Sequence, residues 1–173
     1  LGAWLGDESL ELLLTLTQDN VTPVRGSAIG GLVGWPRSER AYEVLLLAID
    51  DPEWLVRTHA ARALVEFPGE DADVALMEVL LDPVSFVRNS AGESLKLRDR
   101  EQVLKRLRGL LDHPAPYMFD AALDLMGELG TMEDARFLAG VGRWTNLSQP
   151  AQVKRWAREA TRRIKIRNAR DKT

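Results

Sequence analysis

One pattern recurs along this chain and restricts what it can fold into: a β-branched residue followed by Arg, with Ala four positions on and Leu eight positions on. It is plainest in DDPEWLVRTHAARALVEFPG, residues 50–69, where Val56, Arg57, Ala60 and Leu64 hold these places. Val24, Arg25, Ala28 and Leu32 repeat it, as do Val87, Arg88, Ala91 and Leu95. Such positions share one face of an α-helix, and the small Ala in the middle lets that face approach a neighbour closely. A fourth copy keeps Met118, Ala122 and Met126 but has Phe119 in place of Arg. A fifth has Val153, Lys154 and Ala157, then Thr161 where Leu is expected. The anchors stand 32, 31, 31 and 35 residues apart. A period of this length belongs to stacked supersecondary units, each burying its apolar face against the next.

Before each anchor lies a second apolar stretch at helical spacing. These run from Glu8 to Thr17, Glu39 to Ile49, Asp73 to Leu81, Glu101 to Leu111 and Glu133 to Val141. Asp99 with Gln102, and Thr131 with Asp134, resemble capping boxes at helix starts. Asp51-Pro52 and Asp82-Pro83 stop the helices before them, because Pro supplies no N–H and clashes with the preceding turn. Each unit therefore reads as helix A, tight turn, helix B. No segment shows sustained strand alternation, so the fold class is all-α.

The block D-P-x-x-x-V-R-x-x-A-x-x-A-L, with its period near 31, resembles the short HEAT-like repeat of prokaryotic proteins, of the phycobilisome-lyase type. The resemblance covers nearly the whole chain. It implies a right-handed α-solenoid of about five helix pairs, with the B helices lining a concave face. It also implies that Arg25, Arg57 and Arg88 pair with Asp19, Asp51 and Asp82 in a ladder between units. Phe119 interrupts that ladder in the fourth unit.

Residues 1–173 are expected to form one domain, with units near 1–6, 7–35, 36–67, 68–97, 98–130 and 131–173. Leu1–Gly6 matches the end of a B helix without its A partner, and the chain begins without Met. The expectation is a piece of a longer solenoid, with Trp4 exposed and self-association through the N-terminal end. In the first unit Gly26, Gly30, Gly31 and Gly34 fall in helix B, and close packing against a neighbouring helix is the expected reason.

Cysteine is absent, which removes disulfides, zinc-thiolate sites and cysteine nucleophiles. No apolar run approaches the length of a membrane span and no signal peptide is visible, so a cytoplasmic protein is expected. The net charge of −3 hides an asymmetry. Residues 151–173 carry nine Lys and Arg against two acids, and the remainder is net acidic. Arg155, Arg158, Arg162 and Lys165 recur every three or four residues on one face of the last helix. Trp156, Ala160 and Ile164 recur on another, which is expected to dock onto helix A of the fifth unit. Ser148 is placed to cap this helix, and the chain beyond about Arg167 is expected to fray.

No catalytic constellation emerges, and the chain reads as a non-enzyme without cofactor or metal. His59 and His113 lie in different units, and no serine has a nucleophile-elbow context. No His-Glu pair of the kind found in di-iron HEAT-repeat hydroxylases occurs. Asp120, Asp124 and Glu128 form an acidic stripe that reads as a solvated face attracting a basic partner. The expected binding surface is the exposed concave stripe of the B helices: Thr58, Arg62, Asn89, Glu93 and Lys96, then Asp120, Asp124, Arg155, Arg158 and Arg162. Trp54, Phe86 and Tyr117, one repeat apart at the A–B turns, suggest either a peptide-binding ridge or a cap on the turn core. The leading reading is a scaffold for protein–protein interaction. Nucleic-acid binding through residues 151–173, as in HEAT-like DNA glycosylases, and an accessory role, as in bilin lyase subunits, are the alternatives.

Overall fold

The computed structural model describes residues 7–112, 119–141 and 150–171, which hold ten α-helices and no strand. The chain divides into two compact units, residues 1–95 and 96–173. The first contains α1 (Asp7–Leu16), α2 (Thr22–Gly31), α3 (Glu39–Ala48), α4 (Trp54–Ala63), α5 (Glu70–Val79) and α6 (Ser85–Lys96), whose last residue falls in the second unit. The second continues with α7 (Arg100–Asp112), α8 (Asp120–Leu129), α9 (Met132–Val141) and α10 (Pro150–Arg170). This is an all-α repeat fold of alternating A and B helices. None of the described helices is long and apolar enough to cross a membrane.

The helix ends follow local chemistry. The Ser38 hydroxyl accepts the Ala41 N–H at 3.2 Å and opens α3. Asp99 accepts the Gln102 N–H at 2.9 Å and opens α7. Helices α2 and α4 each tighten into one 3₁₀ turn, Leu32–Gly34 and Leu64–Glu66, so Gly34 lies in that turn rather than in the α-helix. Pro36 and Pro68 follow directly after Trp35 and Phe67, and the residue before Pro is steered out of the helical region. Helix α5 starts at Glu70, three residues before the expected Asp73, because the Tyr42 hydroxyl is donor-bonded by the Ala72 N–H at 3.0 Å in its first turn. Helix α10 holds its form to Arg170, past the point where fraying was expected.

The recurring apolar positions form the core. Leu32, Leu64 and Leu95 are fully buried, as are Ala60, Ala91, Ala122 and Met126. Val56 and Val87 are buried too, and Val56 sits beside Arg25 and Ile29 of the preceding repeat. Val24 departs from the pattern at 36 % exposure, on the first B helix among the described residues. Phe119, at the arginine position of the fourth copy, is fully buried and makes its place part of the core. Helices α2 and α4 touch closely because Gly26 and Gly30 face Leu55 and His59. A Cβ at Gly30 would lie 2.8 Å from His59 Nδ1.

Arginines join successive A–B turns of the first unit. Arg25 donates to the Asp19 carbonyl at 2.7 Å and, through Nε and a terminal nitrogen, to both Asp51 carboxylate oxygens at 2.9 and 3.2 Å. Arg57 does the same one repeat on, with the Asp51 carbonyl at 2.7 Å and the Asp82 carboxylate at 2.6 and 3.1 Å. Each Arg thus takes the backbone of its own turn and the carboxylate of the next. Asp19, Asp51 and Asp82 also accept the N–H two residues ahead, from Val21, Glu53 and Val84 at 2.7, 2.8 and 2.7 Å. That local bond shapes the turn before the B helix. Arg88 is buried and donates to the Asp82 and Pro83 carbonyls.

The fully buried Ala60 and Ala91 lie where a larger side chain has no room. Ala60→Leu or Ala91→Leu is expected to cost about 1–3 kcal/mol by overpacking, read as a lower denaturant midpoint.

Candidate interaction surface

In the first unit the B-helix surface is built around α4 and α6. Trp54, Thr58 and Arg62 recur every four residues along one face of α4. Phe86 stands at the start of α6. Its ring meets Trp54 edge-on with centroids 5.9 Å apart, and the Arg62 guanidinium lies over its face, 5.4 Å from the centroid. Trp54 and Phe86 remain 45 % and 50 % exposed, so they form a ridge and do not plug the turn core. Thr58 was expected to be exposed and is buried. It sits in the middle of a line whose two ends are joined through Phe86, and its hydroxyl turns inward to the Trp54 carbonyl at 2.9 Å. Asn89 and Glu93 are exposed on α6. Tyr117, the third aromatic of the expected series, lies outside the described residues, as do His113, Met118, Ser148 and the segment 1–6.

In the second unit much of the expected charge is internally matched. Glu128 receives Lys96 at 2.6 Å and Arg163 at 3.1 Å, and Arg163 also pairs with Asp124. Burial disfavours the Glu128 carboxylate, yet the hydrogen bonds and charges of Lys96 and Arg163 outweigh it and hold its pKa below the usual value. Arg167 donates to the Gly127, Glu128 and Gly130 carbonyls at the end of α8. Lys96 and Asp124 are therefore structural partners rather than a free binding stripe, and Asp120 is half-buried. Arg155, Arg158, Arg162 and Lys165 are exposed on the opposite side of α10. Helix α10 packs on α9, as expected, and equally on α8. Ala160 lies against Gly127 of α8, where a Cβ would stand 3.2 Å from the Ala160 Cβ, and Ile164 lies beside Gly130. The missing side chain at Gly127 admits α10 here, a cue that the repeat pattern does not mark.

A buried carboxylate that sequence reading treated only as a cap anchors α9. Asp134 accepts the Thr131 N–H and hydroxyl at 2.7 and 2.8 Å, and also Arg108 Nε at 2.6 Å. Its burial favours the neutral acid, but Arg108 and Thr131 prevail and its pKa lies below 3.8. His59 is half-buried against Gly30, and burial together with the Arg62 charge lowers its pKa below 6.5, leaving a neutral imidazole at pH 7. No cluster of three or more His, Asp or Glu able to hold a metal ion occurs among the described residues.

The model of HEAT repeats matches residues 9–96, just over half of the chain. The chain belongs to the HEAT-repeat family. Two solved structures extend the fold likeness over most of its length. A chain in the complex of CpcE and CpcF of phycocyanin lyase from Nostoc sp. PCC7120 superposes with a TM-score of 0.57 at 22 % identity, covering 90 % of this chain and 64 % of that one. The repeat protein thus spans less than two thirds of that relative. An engineered protein superposes with a TM-score of 0.50 at 16 % identity, covering 92 % of this chain and 80 % of the other. No curated protein matches the sequence.

The HEAT repeats are held by carboxylates with lowered pKa: Asp51 and Asp134 below 3.8, and Glu128 below 4.5. At acid pH the unfolded chain binds more protons than the folded one. Their stabilisation is present above those values and lost as pH falls through the lower native ones. Asp134→Asn is expected to cost about 1–3 kcal/mol at pH 7 and to flatten the fall in urea midpoint between about pH 5 and pH 2.

Proposed function

We propose that this HEAT-repeat protein is a non-enzymatic scaffold that binds another protein through the B-helix surface of residues 54–93. The Trp54–Phe86–Arg62 ridge carries this reading. Two large aromatic side chains stand about half exposed at the head of successive B helices, held in fixed geometry by each other and by Arg62. Trp and Arg are the side chains that most often dominate binding energy at interfaces, and a rigid aromatic loses little entropy on docking. Asn89 and Glu93 supply a polar rim beside it. The surface lies on helices whose turns are locked by Arg25 and Arg57, so a partner meets a preformed shape. That the whole chain forms one domain of a longer solenoid belongs to the same proposal.

A second reading is favoured by the fold likeness to a chain of the phycocyanin lyase complex: an accessory subunit that positions a catalytic partner. The ridge serves this reading equally, since holding an enzyme is also protein binding. Affinity capture from the source cell, with and without nuclease, identifies the partner. Trp54→Ala with Phe86→Ala is expected to weaken binding by about 2–4 kcal/mol while the melting temperature stays near that of the parent chain, because both side chains are exposed. Undiminished capture by the double variant removes the ridge from the interface. Loss of capture on nuclease treatment overturns the protein-binding reading. An effect of the double variant on the catalytic activity of the captured partner separates the accessory role from a passive scaffold.

A further inference from the structure

Helices α9 and α10 enclose a groove of about 830 Å³ within the second unit. Its base is apolar, from Leu138 and Ala157, and its accessible walls are Ala139 and Ile166. Its rim is basic: Lys154, Arg158, Arg162 and Lys165. The first three recur every four residues, so their charges run along one edge for about two turns of helix. Arg162 pairs with Glu159 on the same exposed surface, a contact that exchanges readily with a better acid.

The other side of α10 shows what such a face accepts. There Arg163 holds Asp124 and Glu128, carboxylates four residues apart on α8, while Ala160 packs against Gly127 and Ile164 lies beside Gly130. One acidic, amphipathic helix is thus already docked to α10 through apolar contact flanked by charge pairing. We infer that the groove between α9 and α10 is a docking site for an acidic amphipathic helix of a partner protein. The occupant presents small or aliphatic side chains to Leu138, Ala157 and Ile166, with carboxylates at four-residue spacing to Arg158 and Arg162. The apolar base favours this occupant over nucleic acid, whose phosphates gain nothing from Leu138 or Ile166. The site is separate from the Trp54–Phe86 ridge and uses none of its residues.

A labelled synthetic helix of about four turns tests this, with Leu and Ala on one face and Glu pairs four residues apart beside it. Fluorescence anisotropy with the full chain is expected to show binding that weakens as salt rises. The peptide with Glu replaced by Gln is expected to bind at least about tenfold less well, and R158E/R162E is expected to lose binding of the Glu peptide to a similar extent. Both positions are exposed, and R158Q/R162Q gives a milder version that is expected to weaken binding in the same direction. The charge-matched R37E/K105E, with both residues exposed and outside the groove, is expected to bind within about twofold of the parent chain. W54A/F86A leaves peptide binding unchanged, which keeps failure here distinguishable from failure of the ridge. Equal affinity for the Glu and Gln peptides overturns the proposal, as does an equal loss in the two charge-reversed variants. Duplex DNA that binds more tightly than the peptide and is lost in R158E/R162E assigns the rim to nucleic acid instead.

Discussion

The guanidinium that spans two turns sets the spacing on which the first unit depends. Arg25 and Arg57 each close a hydrogen bond to a carbonyl of their own A–B turn and a two-point contact with the aspartate of the next. The aspartate is already committed through its Asx bond to the N–H two residues ahead, so it cannot swing to meet the arginine. Both ends are fixed by backbone, and the distance between repeats follows. A partly buried ion pair adds little net stability, because desolvation offsets much of the attraction. Its value here is direction: a planar fork accepts only a narrow range of carboxylate placements. The Trp54–Phe86 contact joins α4 to α6, so it inherits its geometry from Arg57 and Asp82.

What the sequence made legible was local or periodic. The buried Ala and Leu of each copy follow from helical spacing, and the caps at Asp99 and Thr131 follow from side chains that meet backbone a turn away. Thr58 shares the helical stripe of exposed Trp54 and Arg62 yet is buried, its hydroxyl bonded to the Trp54 carbonyl one turn back, which spacing alone does not mark. Asp134 showed its role as a cap but not its pairing with Arg108, which belongs to the previous A helix and to no repeating position. The docking of Ala160 on Gly127 was hidden for a related reason: a glycine in a helix says that something comes close, not which helix does.

Net charge was the least faithful guide. The basic count of the C-terminal segment treats every Arg as available, but α10 divides its cations between two faces. Arg163 and Arg167 are consumed by the carboxylates and carbonyls of α8. Lys154, Arg158, Arg162 and Lys165 remain on the side that faces solvent and the groove. The acidic stripe of α8, which looked like an invitation to a foreign cation, is answered by the chain's own Arg163 and Lys96. Charge clusters in a repeat protein must therefore be read after adjacent helices have been placed.

A repeat also separates what holds the fold from what remains free for function. The Val, Ala and Leu positions recur because every copy must bury the same face. The place of Arg62 shows no such demand, for Gly30, Glu93, Asp124 and Glu159 stand at the equivalent step of the other copies. Each does something different: Gly30 admits His59, Asp124 holds Arg163, and Arg62 lies over Phe86. Likewise Trp54 and Phe86 occupy the head of a B helix where the first copy has Thr22 and Pro23. The packing of the repeat does not require an exposed Trp at that point, and apolar surface left in water stabilises nothing in the folded chain. What Trp54 meets within the chain is Phe86, and on the proposed reading the half of its surface left open is where a partner docks.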